Sequence, residues 1–205
     1  MLIGTHHSMS YLEPVTRWGK FLHFFTKTQE VDIETQYYRY DVRVFDIRLY
    51  VDRNQKIVFR HGSVTLKTGS VYDVLSFLNK MADCYVRITF EASNSDYSDG
   101  LIVKKYRRFS EYCKIIEELY PYVTFFGGYV NLTGEQLYRF PRNKQNLKYV
   151  HLYYRPEKSL KRFFARLFRH IWPRLFAKVN NKCIYDKILN DSSITNYVFI
   201  DFINL

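Results

Sequence analysis

Val42-Arg43-Val44-Phe45-Asp46-Ile47-Arg48-Leu49-Tyr50-Val51 is the stretch that decides the fold. It alternates and then runs apolar, with β-branched and aromatic residues throughout, the composition of a strand with little solvent contact. Asp46 and Arg48 stand two apart on it and so point to one face. On a buried strand neither is tolerated without a partner. Two readings are open: a structural Asp–Arg pair inside a core, or a charged pair placed for a ligand. Asp52-Arg53-Asn54-Gln55 is turn chemistry. A second short strand over 56–60 then delivers His61, followed by Gly62. A histidine at a strand end, beside a glycine and close to a buried arginine, makes a candidate phosphate site. Such a site needs a second acid or base, and Gly4-Thr5-His6-His7-Ser8 offers one.

Working outward, residues 1–5 read as a first strand ending at His6, and 11–34 as a loop with a helical turn. Residues 35–40 read as a helix leading into the strand at 42–51. Val71, Val74, Leu75, Leu78 and Met81 have helical spacing. Residues 85–90 form a strand ending at Glu91, and 101–120 a helix stopped by Pro121. Residues 122–148 give no clear assignment. Residues 149–154 read as a strand, 157–179 as a long helix, and 197–203 as a closing strand that carries Asp201. Strands alternating with helices predict a parallel, barrel-like α/β arrangement. His6, Arg48, His61, Glu91 and Asp201 all fall at or near strand ends, where such barrels carry their functional groups. With 205 residues and about six strands, the expected form is a small, incomplete or distorted (β/α) barrel, TIM-like, in a single domain over 1–205.

The chain is 47% hydrophobic with 19 Tyr and 17 Phe, which excludes a disordered class and suits one domain with a real core. Its net charge of +11 favours an anionic partner: nucleic acid, a lipid surface or a phosphorylated ligand. Cys84, Cys113 and Cys183 are widely spaced and show no zinc pattern, so free thiols in a reducing compartment are expected. Met1-Leu2-Ile3 meets Gly4 at once, without the apolar core of a signal peptide. No run of about 18 apolar residues exists to span a membrane.

The ordered motifs resemble the X-region of phosphatidylinositol-specific phospholipase C, of the bacterial or small single-domain type. Ile3-Gly4-Thr5-His6-His7-Ser8 is similar to the family's opening motif. Asp41-Val42-Arg43-Val44-Phe45-Asp46-Ile47-Arg48 is similar to its second strand. Phe59-Arg60-His61-Gly62, Ile88-Thr89-Phe90-Glu91 and Val198-Phe199-Ile200-Asp201 resemble later strands. The resemblance implies a metal-independent phosphodiesterase working by two histidines, with attack of the inositol 2-hydroxyl and release of diacylglycerol. It implies His6 as general base, Asp201 as the carboxylate orienting it, His61 as general acid, and Arg48, beside Asp46, as the phosphate clamp. His7 stands where the family usually has Asp, or Asn in calcium-dependent members, and Arg48 where those members have a second acidic residue. No cofactor is therefore expected, and the cation at Arg48 disfavours calcium.

Glu91, His7 and Arg155 are candidate substrate contacts. His7 reads equally as a solvated loop residue, and Glu91 as a structural ion pair with Arg48. Lys104-Lys105 and Arg107-Arg108 read as a solvated helix face. Residues 155–179 carry an unbroken apolar stripe, with Lys158, Lys161, Arg162, Arg166, Arg169, Arg174 and Lys178 opposite and a kink expected at Pro173. That stripe packs on the core, or the helix lies on anionic lipid, with Lys161, Arg162, Arg166, Arg169 and Trp172 as the contacts. The expected partners are an inositol phospholipid and an anionic membrane surface, with no specific nucleic acid, and the expected location is cytoplasmic with peripheral membrane association. The rivals are a catalytically impaired phosphoinositide- or membrane-binding module, for which His7 speaks, and a metal-dependent glycerophosphodiester or sphingomyelin phosphodiesterase, against which Arg48 speaks. A nucleic-acid binder is a third, but no recognition motif supports it.

Overall fold

A computed structural model of the chain describes residues 2–67, 70–92, 96–97, 102–130, 136–140, 149–150, 160, 163–164, 167, 171–190 and 197–204. The elements run β1 (Leu2–Thr5), α1 (Arg17–Thr26), α2 (Ile33–Tyr40), β2 (Val44–Val51), β3 (Ile57–His61), β4 (Val64–Thr65), α3 (Val71–Met81), β5 (Tyr85–Phe90), α4 (Ile102–Leu119), β6 (Thr124–Val130), β7 (Gln136–Arg139), β8 (Tyr149–Val150), α5 (Pro173–Asn190) and β9 (Tyr197–Ile200). The main sheet follows the order β7-β6-β5-β2-β1-β9-β8. Every neighbouring pair in it is parallel except β6 with β7. Among the described residues its two outer strands do not pair with each other, so the expected incomplete barrel is found: curled, but open.

The core explains why β2 lies in the middle. Val44, Phe45, Ile47, Leu49 and Val51 are all fully buried. A strand apolar on both faces is stable only when both are covered. From one side α3 buries Val71, Leu75 and Leu78, and α4 buries Phe109, Cys113 and Ile116. Phe109 meets Phe90 of β5 with ring centroids 5.1 Å apart. Each such side chain contributes about 1.5–3 kcal/mol on burial.

Several expectations need correction. β3 is antiparallel to β2, with Leu49 opposite Phe59 and Val51 opposite Ile57. His61 therefore sits on a hairpin branching from the barrel, not at the end of a parallel barrel strand. The segment 122–148, unassigned from sequence, contributes β6 and β7. Gly127 and Gly128 look like breakers, yet both lie inside β6 at positive φ, and a Cβ on Gly127 would stand 2.6 Å from the Ile88 carbonyl oxygen. Close approach of neighbouring strands requires glycine there. The closing strand ends at Ile200, and Phe202 takes a left-handed conformation, so Asp201 projects from a bend after the strand.

Residues 17–26 form a full helix, capped by the Thr16 hydroxyl accepting from the Gly19 amide at 2.9 Å. Its large apolar side chains are mostly exposed, so no core-facing stripe marked it. α5 begins at Pro173, where the missing N–H is harmless; the described residues before it, such as Leu167 and Ile171, are helical too, and the helix is interrupted at Trp172 just ahead of the proline. Most of 151–170, including Arg155, Lys161, Arg162, Arg166 and Arg169, lies outside the described residues, as do 151–154 of the expected strand. Lys105 is buried, not on a solvated face.

One buried side chain ties the strand ends that carry the site. Gln29 Nε2 donates to the carbonyls of Ile200 (2.8 Å) and His6 (3.3 Å), and its Oε1 accepts from the Ile203 amide at 3.1 Å. Replacing Gln29 by Ala takes the acceptor from the Ile203 amide and leaves each carbonyl with a single remaining donor, the His6 amide on Ile200 and the Thr28 hydroxyl on His6. Gln29→Ala should lower unfolding free energy in urea by roughly 1–3 kcal/mol, the cost of an unsatisfied buried group. A loss under about 0.5 kcal/mol, the range of neutral surface changes, would show the clamp to be dispensable.

Candidate active site

The carboxyl ends of β1, β5 and β9 and one face of β2 bring together five side chains from four separate parts of the sequence. His6 follows β1, Asp201 follows β9, Glu91 follows β5, and Asp46 and Arg48 share the inward face of β2. Asp201 Oδ1 lies 2.6 Å from His6 Nδ1, and Arg48 Nη2 lies 2.6 Å from His6 Nε2. A guanidinium only donates. Nε2 therefore accepts, and Nδ1–H donates to Asp201. The two partners fix the tautomer with a lone pair at Nε2, the form a general base needs.

Arg48 is held on three sides. Its Nε donates to Asp46 Oδ2 at 3.0 Å, and its Nη1 faces Glu91 Oε2 at 3.3 Å. Burial opposes its charge, but Asp46 and Glu91 raise its pKa above the ordinary guanidinium value. Asp46 is fully buried and also accepts from Arg87 Nη1 (3.1 Å) and the His7 amide (3.1 Å). Burial pushes its carboxyl up, but Arg48 and Arg87, with His6 and His7, outweigh that and hold it well below the carboxylate range. The sequence reading missed Arg87. The sequence shows only that Arg87, Thr89 and Glu91 share one face of β5; that Arg87 stands beside Asp46 comes from the register of β5 with β2.

His61 Nδ1 lies 2.6 Å from the Thr26 carbonyl oxygen, so it carries the proton and Nε2 is left for a substrate. Its ring is 5.7 Å from that of His6 at 86°, and 4.4 Å from that of His7 at 16°. His7 is not a solvated loop residue. It is fully buried, with Nε2 donating to the Arg60 carbonyl at 2.8 Å. Among the described residues its Nδ1 has no partner. Its backbone is left-handed, φ 43°, in the tight turn after β1. A β-carbon residue is strained there, and three contacts hold it: the His7 amide on Asp46, the Ser8 amide on the Asp46 carbonyl (2.8 Å), and the Thr28 hydroxyl on the His6 carbonyl (2.7 Å).

Glu91 is part of the machinery's frame. Besides Arg48, it accepts the Gly62 amide at 2.9 Å, so one carboxylate positions both the clamp and the turn carrying His61. Of the expected set, His6, His61, Arg48, Asp46, Asp201, Glu91 and His7 converge. Arg155 lies outside the described residues, and Trp172 is remote: it lines a groove of about 690 Å³ between α1 and α5, with Lys20, Phe24, Lys27 and Leu175. What the cluster can do chemically is hold an anion on Arg48 between two imidazoles poised for proton transfer.

No family model matches the chain, and no curated protein matches it. Solved structures do. A double mutant of the phosphatidylinositol-specific phospholipase C from Staphylococcus aureus superposes with a TM-score of 0.56 at 14% identity, covering 98% of this chain and 84% of that one. A pentafluoro-Phe form of the same enzyme gives 0.55 at 16%, covering 98% and 85%. A further structure of it, from a study of its membrane binding, gives 0.51 at 14%, again covering 98% and 85%. At such identity the likeness establishes the fold.

Burial, then the cations and imidazoles around them, lowers the pKa of both His7 and His61 below the ordinary 6.5. A lowered histidine pKa means that the unfolded chain binds more protons in the window below 6.5. Stability should be full above about pH 6.5 and fall as pH drops beneath it. Asp46 adds nothing in that window, because its carboxyl stays ionised far lower. Urea unfolding at pH 7.5 and pH 5 tests this. His7→Asn should shrink the difference, and equal stability at the two values would contradict buried neutral imidazoles.

Proposed function

We propose that the chain is a metal-independent phosphodiesterase acting on inositol phospholipids at an anionic membrane surface. The observation that carries the reading is the Asp201–His6–Arg48 line, with 2.6 Å on each side of one imidazole and His61 across the gap. A phosphate on Arg48 would take the guanidinium's donors and release His6 Nε2. Nε2 then takes the proton of the inositol 2-hydroxyl as its oxygen attacks phosphorus, and Asp201 stabilises the imidazolium. The bond from phosphorus to the diacylglycerol oxygen breaks, and His61 Nε2 protonates that oxygen. The products are a cyclic inositol phosphate and diacylglycerol.

His61 must carry a proton to act so. The site pairs two guanidiniums, Arg48 and Arg87, with three carboxylates, Asp46, Glu91 and Asp201, leaving one net negative charge while the imidazoles are neutral. An incoming phosphodiester adds another, and the deficit is met most directly by a proton on His61. Asp46 and Glu91 are already committed to guanidiniums and amides, so the donor set does not suit a divalent cation. The second reading is a phosphoinositide-binding module with impaired turnover. It is favoured by one feature: among the described residues no carboxylate hydrogen-bonds His61, which has a backbone carbonyl and a stacked imidazole as its direct contacts.

Membrane docking fits α1 and the start of α5. Trp18, Phe21 and Phe24 are 75%, 62% and 58% exposed, and Trp172 and Leu175 stand across the groove among Lys20, Lys27, Arg174 and Lys178. Aromatic side chains set among cations suit the interface of an anionic bilayer. No helix among the described residues is long and apolar enough to cross a membrane.

On a soluble inositol phosphodiester, His6→Ala and His61→Ala should each lower turnover by roughly 10²–10⁴-fold. Arg48→Lys should lose most activity despite keeping charge, and excess EDTA should leave the wild type unaffected. If the wild type binds phosphoinositide vesicles but none is turned over, the binding-module reading replaces this one. Trp18→Ala with Phe21→Ala should weaken binding to anionic vesicles by about tenfold or more, since each buried aromatic contributes about 1.5–3 kcal/mol, with soluble-substrate hydrolysis unchanged. Unaltered sedimentation with vesicles would remove α1 from the docking surface.

A further inference from the structure

A second buried polar cluster stands directly behind His61. Asp96, Arg60, Lys105 and Tyr50 are 7%, 7%, 3% and 8% exposed. Arg60 Nη1 donates to Asp96 Oδ2 at 2.9 Å, and its guanidinium lies 3.9 Å over the Tyr50 ring. The Tyr50 hydroxyl donates to Asp96 Oδ1, and the Lys105 ammonium donates to the Tyr50 oxygen and lies 3.5 Å from Asp96. Buried ionic groups of this kind do little for stability that apolar residues of the same volume would not do. Their placement is the informative part.

Arg60 Nε donates to the Gly62 carbonyl at 2.7 Å, while Glu91 accepts the Gly62 amide. Both polar groups of the residue after His61 are therefore gripped. The carbonyl of Arg60, the residue before it, accepts from His7, whose ring stacks on His61. Gly62 takes a left-handed φ of 55°, so the main chain turns sharply at the point being held. His61 thus owes its aim to Arg60 on one side and Glu91 on the other, and Arg60 owes its own aim to Asp96 and Tyr50.

We propose that Asp96 is a positioning residue: through Arg60 it fixes the Gly62 peptide and so keeps the His61 ring on the Thr26 carbonyl, facing the reacting phosphate. The assignment rests on the two-histidine reading above for its consequence in turnover, but not for its geometry. Asp96 lies between β5 and α4, so the cluster links that connection to the hairpin carrying His61.

Two readouts test it on the full chain. In protein labelled at histidine, the Nδ1–H resonance of His61 should be protected from exchange in the wild type and exchange-broadened in Asp96→Asn, at a temperature where both remain folded. Turnover of a soluble inositol phosphodiester should fall roughly 10- to 100-fold in kcat, the scale of a misplaced catalytic group, with KM little changed. Arg60→Lys keeps the charge but cannot hold Asp96 and Gly62 at once. It should show the same two effects, and the double variant should be no worse than either single one, as for groups acting through one element. If Asp96→Asn does not fold, Tyr50→Phe, which removes only the hydroxyl on Asp96, should broaden the same resonance. A His61 signal unchanged in folded variants overturns the proposal, whatever happens to stability. A wild type without turnover overturns the catalytic reading, while the resonance still decides the positioning.

Discussion

The structure hangs on the burial of one carboxylate. Asp46 is fully enclosed, and it answers to two guanidiniums and a backbone amide from three different strands or turns. An ionised group in that position is tolerable only when such partners surround it. The same requirement orders the neighbours. Arg48 must lean along β2, Arg87 must reach across from β5, and the turn after β1 must bring the His7 amide inward at a conformation a β-carbon disfavours. His6, one residue earlier, is then delivered to Arg48 and Asp201. What reads as an active site is in this sense the outer layer of a buried charge arrangement.

Much of this was legible in the residues. The apolar run around Asp46 and Arg48 identified the central strand, and its charges could be recognised as partnered because nothing else could explain them there. His6, His61, Glu91 and Asp201 were findable because strand ends are visible as the places where apolar alternation stops. What escaped was information carried by strands in contact. Arg87 acquires its meaning only from a register with Asp46 that no local pattern encodes. Gln29 and Thr28 lie in a segment without periodicity and act through hydrogen bonds to backbone some 170 residues away in the case of Ile200. β6 was hidden because glycine, ordinarily punctuation, is here demanded by the nearness of the adjoining chain. α1 was hidden because its apolar side chains face outward.

His7 shows how far a single buried side chain can set the charge logic of a site. A carboxylate beside an acid histidine would favour the protonated ring. At His61 burial, with the neighbouring Arg48 and His6, does the reverse, and Glu91 and the Thr26 carbonyl offset only part of it. On the proposed function the proton that His61 would need comes with the ligand and does not precede it. Charge supplied by a phosphate, in place of charge built into the fold, would make that acid conditional on occupancy.

His6 and Asp201 are 195 residues apart, joined through the pairing of β1 with β9. A contact of that span is among the slowest to form, because the entropy of closing so long a loop is lost before any bond rewards it. During synthesis the ion pairs on Arg48 can assemble around β2 and β5 while His6 still lacks its carboxylate. The docking of β9 therefore acts as a safety catch: on the proposed function the centre could hold an anion earlier, but the base would be oriented only once β9 pairs with β1.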